Sequence, residues 1–244
     1  MVIANHTLPK LHWRFPENAK FGRVIPKEKL YSHAGVNTPL KQLFIEQVGQ
    51  IKWVYKLAET TINLAKTEQI DEIEVIQIKL KTNILDQQVL GAIDKAIPHP
   101  TLFILVREQQ GEIAIAYIAA HKQKAATEKK GATKEKWQQS QYLQSEWVTT
   151  ASQTAQPLPA ATNLGQLYQQ LLEALIPVDI TNIKNRPEQQ SLEEKLAVIE
   201  KIELLKKHIV QIKAKRDKEK QFNRKRELND QFKSLKKQLA ELTD

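Results

Sequence analysis

The 244-residue chain has no cysteine, which excludes disulfides, thiolate metal sites and a thiol nucleophile. Its seven glycines are scattered. Neither G-x-x-x-x-G-K-[ST] nor G-x-G-x-x-G occurs, so neither a P-loop nor a Rossmann nucleotide site is supported. The G-x-S-x-G elbow of the α/β-hydrolases is missing as well. No apolar run approaches the ~18 residues of a membrane helix; the longest spans residues 113–120. The first residues, MVIANHTLPKLHWRF, show no basic-then-apolar signal pattern. The expectation is a cytoplasmic protein with no membrane partner and no resident cofactor.

Charge is present in excess, and it is confined. The net charge is +9, from 37 Lys+Arg and 28 Asp+Glu. Residues 201–237 hold 14 of the basic and five of the acidic residues, so this segment carries the entire excess. Such a concentration attracts polyanions through its summed field and through counterion release. A smaller basic stretch runs from 122 to 136. Hydrophobic residues make up 41% of the chain, enough to bury a core in one domain with an appendage.

Periodicity divides the chain into four parts. Residues 1–37, interrupted by Pro9, Pro16 and Pro26, read as irregular. Residues 38–176 read as a mixed α/β domain. Thr38-Pro39 opens a helix, with Thr as N-cap. Residues 51–57 alternate as a strand does. The strongest strand is 72–81, EIEVIQIKLK, with Gln77 and Lys79 on one face and Glu74, Ile76, Ile78 and Leu80 on the other. A helix over 86–97 follows, and then TLFILV at 101–106, an uninterrupted apolar run typical of a strand covered on both faces. Gln110-Gly111 turns this run into a partner at 113–118. Residues 119–140 read as a mobile loop, 142–148 as a returning strand, and Asn163 as the cap of a short helix.

Residues 177–190 form a linker to a basic helical arm over 191–244. Ser191 and Glu194 make a capping box. Two stretches keep coiled-coil spacing, Leu196 to Ile212 and Leu228 to Leu242, separated by an almost wholly charged middle. One continuous helix at ~1.5 Å per residue would reach roughly 75 Å. A hairpin bent in the charged middle is the alternative.

Little catalytic chemistry is visible. The six histidines, His6, His12, His33, His99, His121 and His208, show no metal-site spacing. One weak constellation resembles the PD-(D/E)xK nucleases, in which carboxylates hold Mg²⁺ to activate water. Gln77 and Lys79 would supply its Q-x-K, and Glu46 or Asp71 the acid; Mg²⁺ is implied only on that reading.

Several segments together resemble an uncharacterised bacterial family that carries a domain-of-unknown-function label: EIEVIQIKLK, residues 92–100 (AIDKAIPHP) before TLFILV, Ser145-Glu146-Trp147, and residues 219–225 (EKQFNRK) before Glu227-Leu228-Asn229. The resemblance covers most of the chain, from about Pro26 to its end. It implies a neighbouring DNA methyltransferase and helicase and a supporting role in restriction–modification-like or phage-defence systems. The leading expectation is a non-catalytic subunit whose arm contacts DNA backbone or such a partner. The contact residues would be Lys213, Lys215, Arg216, Lys218, Lys220, Gln221, Asn223, Arg224, Lys225 and Arg226. The alternatives are the Mg²⁺-dependent nuclease and a structural coiled-coil homodimer.

Overall fold

The computed structural model describes residues 8–124, 137–177 and 190–243. The chain forms two compact units, Leu8–Ile176 and a second that holds the segment from Pro177 onward.

The segment expected to be irregular, 1–37, holds regular elements among its described residues. After the short strand β1 (Trp13–Arg14) and a 3-10 turn come β2 (Lys20–Val24) and α1 (Lys27–Ala34), which Gly35 ends in a left-handed conformation at φ 63°. α2 (Thr38–Gln47) is capped by Asn37, whose side chain accepts from the Leu40 amide, so Thr38 is its first residue and not its cap. β3 (Val48–Ala58), α3 (Glu59–Ile62), β4 (Glu72–Leu80), α4 (Gln87–Ala96), β5 (Thr101–Gln109) and β6 (Glu112–Lys124) follow. β5 and β6 are joined at Gln110 and Gly111, both with positive φ, as a tight two-residue hairpin turn requires. β7 (Trp137–Gln144), β8 (Val148–Thr149), β9 (Gln156–Pro157) and α5 (Leu164–Glu173) complete the unit. In the stretch expected to be a mobile loop, 119–140, the described residues 119–124 and 137–140 are strand instead. β6 runs on to Lys124 because Ala119, Ala120 and Lys122 stay buried against neighbouring elements. The rest of that stretch, 125–136, lies outside the described residues.

The main sheet has the order β2-β3-β4-β5-β6-β7, with β8 beside β6. Pairing is antiparallel except between β4 and β5, which α4 connects. On one face lie Phe44, Val48, Ile76, Ile78, Val89, Ile93, Phe103 and Leu105, packed with α1, α2 and α4. Alternation sends Ile73 and Val75 to the other face. α5 packs on β4 and β6, and its Tyr168 hydroxyl donates to Ala120 O and accepts from Lys122 N.

The C-terminal unit contains α6 (Leu192–Lys218) and α7 (Phe222–Thr243), packed against each other. The arm is thus a hairpin and not one continuous helix. Ser191 and Glu194 form both hydrogen bonds of the capping box, at 3.2 and 3.0 Å. No Gly or Pro marks the bend. Glu219 leaves the helical region (φ −74°, ψ 130°), and its Oε1 accepts from the amides of Lys220 and Gln221 at 2.8 and 2.9 Å. A carboxylate thereby satisfies amides at the start of α7 where a glycine would ordinarily ease the turn.

Candidate nucleic-acid interface and a buried carboxylate cluster

The hairpin displays its charge outward. Lys213, Lys215, Lys218, Lys220, Gln221, Asn223, Arg224, Lys225 and Arg226 are all exposed. Lys218 to Arg226 brackets the bend, so five cations converge on the tip of a narrow helical pair. Arg216 differs from the rest. It is half-buried, pairs with Asp217 at 2.9 Å, reaches Asn229 Oδ1 at 3.4 Å and lies 4.8 Å over the Phe232 ring. Its guanidinium ties α6 to α7. Phe222, at the first position of α7, is 79% exposed among these cations. An aromatic face beside a basic tip is the pairing that stacks on an unpaired base while phosphates are neutralised.

In the α/β unit, the four residues of the Q-x-K constellation are not gathered. Glu46 is exposed on α2 and accepts from Gln42 Nε2 at 2.7 Å. Asp71 precedes β4, whereas Lys79 lies eight residues further along an extended chain, roughly 26 Å away at ~3.3 Å per residue.

A different group converges at the N-terminal ends of β4 and β5. Glu72 and Glu74 alternate to one face of β4, separated only by Ile73. The β3–β4 register sets Lys56 directly across from Glu74, and Lys56 Nζ pairs with Glu72 Oε2. His99, in the short link between α4 and β5, puts Nε2 3.1 Å from Glu72 Oε1 and Nδ1 3.2 Å from Asp71 Oδ1. Glu74 is completely buried, and neither of its carboxylate oxygens has a hydrogen-bond donor among the described residues. The Trp53 indole, whose proximity favours the Glu74 anion, donates to Tyr55 O at 3.1 Å. Burial, reinforced by the adjacent Glu72, pushes the Glu74 carboxyl far above the usual carboxylate range. Burial also pushes Glu72 upward, but the Lys56 ammonium and its other neighbours outweigh it and hold Glu72 below that range.

The histidine is held from behind. Its carbonyl accepts from Thr101 Oγ1 at 3.0 Å and from Lys122 Nζ at 3.1 Å. Lys122 is only 3% exposed, so it is no part of a basic surface. Its ammonium also donates to Asp94 O and Ile97 O at 2.9 and 3.1 Å, and it meets Asp94 Oδ1 at 2.8 Å. It thus satisfies orphan carbonyls at the C-terminus of α4, where positive charge is favoured. Tyr142 Oη and Gln139 Nε2 both donate to Asp94 Oδ2.

Sequence spacing missed this group because its members come from three separate segments. His99 lies 25 residues beyond Glu74, well outside any local ligand motif. The usable signal was a glutamate flanked by Ile73 and Val75 in a strongly apolar strand, where an ionised side chain has no water.

A family profile described as "Domain of unknown function (DUF4391)" matches residues 14–239, spanning both units. No curated protein and no solved structure matches the chain.

Proposed function

The chain belongs to the DUF4391 family, and from that premise we propose that it is a DNA-contacting subunit that grips phosphate backbone with the tip of its helical hairpin. One observation carries the reading: the whole net positive charge resides in residues 201–237, and its densest part is exposed around the bend. Phosphate contacts position a protein on nucleic acid without reading its sequence, and lysines and arginines at the end of a narrow helical pair suit that task. Gln221 and Asn223 add neutral donors beside the cations. Phe222 extends the reading to unpaired bases, as found where DNA is opened. The setting is DNA-directed defence of the restriction–modification kind, in the cytoplasm, with a DNA methyltransferase or helicase as the companion protein. This setting rests on the family resemblance alone. The packing of α6 on α7 uses the two seams within one chain, which favours this reading over a zipper homodimer.

The test is fluorescence anisotropy of labelled duplex and single-stranded DNA over a salt series, with the full chain and a Lys220→Gln/Arg224→Gln/Lys225→Gln/Arg226→Gln variant. For duplex DNA, log K falls with log salt at about −0.9 per neutralised phosphate. If all four side chains contact phosphate, the slope flattens by roughly 3 to 4 in the variant. Equal slopes for the two proteins would refute the assignment of these residues.

A further inference from the structure

We propose that Glu72, Glu74 and the Nε2 nitrogen of His99 form a binding site for one divalent first-row cation, Mn²⁺ or Zn²⁺, in the α/β unit. The site is independent of the hairpin and of its affinity for nucleic acid.

The geometry is that of a ligand set. One donor atom from each of the three side chains lies within 4.8 Å of the other two. Glu72 Oε1 and His99 Nε2 stand 3.1 Å apart, the separation of two neighbouring ligands about 2.1 Å from a shared ion. Lys56 occupies the other oxygen of Glu72, Oε2, and leaves Oε1 directed toward the histidine. Glu74 supplies the independent observation. It is wholly buried, lies in the cluster, and has no hydrogen-bond donor on either oxygen among the described residues. A buried carboxylate with no donor is costly, and such groups are retained where they are paired or coordinate a metal. The Trp53 indole favours the Glu74 anion but donates its hydrogen bond to Tyr55 O, and a cation among the three side chains would supply the partner that Glu74 lacks among the described residues.

The surroundings match those of a metal-bound imidazole. A ligating histidine almost always directs its second ring nitrogen to a carboxylate or carbonyl, which fixes tautomer and orientation. Here Asp71 Oδ1 receives Nδ1 at 3.2 Å. The backbone of His99 is pinned by Thr101 and by buried Lys122. The side chains of His99 and Glu72 are 26% and 17% exposed, so the cation has a route in from solvent. Two carboxylates with an imidazole suit Mn²⁺ or Zn²⁺, whereas Mg²⁺ favours an all-oxygen shell. Three protein ligands leave at least one coordination position for water or for an oxygen of a bound anion.

The experiment is isothermal titration of the metal-stripped full chain with MnCl₂, ZnCl₂ and MgCl₂, with electron paramagnetic resonance following free Mn²⁺. The expected result is a single saturable site for Mn²⁺ or Zn²⁺. Glu74→Gln and His99→Ala should each abolish it or weaken it by more than tenfold, Asp71→Asn should weaken it about 10- to 100-fold, and Glu46→Gln should leave it unchanged. Glu74→Gln keeps the shape of the side chain, and circular dichroism checks its fold; if that variant fails to fold, His99→Ala and Asp71→Asn decide. No saturable binding at millimolar metal would overturn the proposal and leave the cluster as an ion-pair network. Binding indifferent to Glu74→Gln and His99→Ala would overturn it too, as would uptake of Mg²⁺ alone.

Discussion

The α/β unit and the helical hairpin use charge in opposite ways. In the α/β unit, two charged groups withdrawn from water are answered by specific partners: Lys122 by three carbonyls and Asp94, Glu72 by Lys56 and His99. In the hairpin most charges face solvent, and few are paired among the described residues. The difference separates two roles for one residue type. A buried lysine holds a fold together through short fixed contacts, and its removal leaves desolvated partners behind. An exposed lysine contributes little to stability and acts at a distance on other charges. Glu74 fits neither description, being buried with no hydrogen-bond donor among the described residues.

Substitutions can break or sharpen this contrast. The largest effect is expected at Lys122. Lys122→Ala should destabilise the chain by about 3–5 kcal/mol in urea denaturation, because Asp94 and the α4 carbonyls lose their counter-charge in a dry interior. The four-residue hairpin variant should do the reverse, losing about 100-fold in duplex affinity at low salt with an unchanged urea midpoint. If Lys122→Ala proved harmless, the distinction between the two kinds of lysine would fail.

Glu74 comes next, through pH. Its folded pKa is raised to about 9, against 4.5 in the unfolded chain. A raised pKa means that the folded state holds the proton more tightly. The contribution of this group to stability is therefore complete below pH 4.5 and is lost as pH rises toward 9. Glu74→Gln should match the parent near pH 5 and exceed it near pH 8 by on the order of 2 kcal/mol in metal-free buffer, as read from urea midpoints at the two pH values. A parent chain equally stable at both would mean that the carboxylate is better solvated than its burial implies. The smallest effect is expected at the tip. Phe222→Ala should weaken single-stranded DNA binding by about tenfold, the loss of one stacked base, while the duplex isotherm and thermal midpoint stay fixed.

Sequence pattern disclosed most of the sheet. The alternation over 72–81, the apolar run of β5 and the Gln110-Gly111 turn each carry their signal locally, and the structure has strands and a hairpin at those places. The failures share a cause in contacts that lie elsewhere. β2 is exposed along most of its length and shows no apolar alternation, so only its pairing with β3 makes it a strand. Lys122 reads as part of a basic surface because its acceptors belong to α4 and the loop beyond it. The hairpin bend has no breaker residue; a glutamate that caps the next helix ends the first one. At the carboxylate cluster, Asp71 was legible as a candidate acid, but Lys56, Glu72, Glu74 and His99 were not, since strand register and a crossover bring them together.

The order of strands in the main sheet has a kinetic consequence. From β2 to β7, spatial order is chain order, so every pairing along this path joins elements that are consecutive strands in sequence. The closing segment is a two-residue turn between β5 and β6 and is longer where α1 and α2, α3 or α4 intervene between consecutive strands, and sheets paired in chain order reach their native arrangement faster than sheets stitched from distant segments. A chain emerging from the ribosome can add each strand to an edge already in place. The growing sheet need not wait for the C-terminal helices, whose pairing with each other is local too.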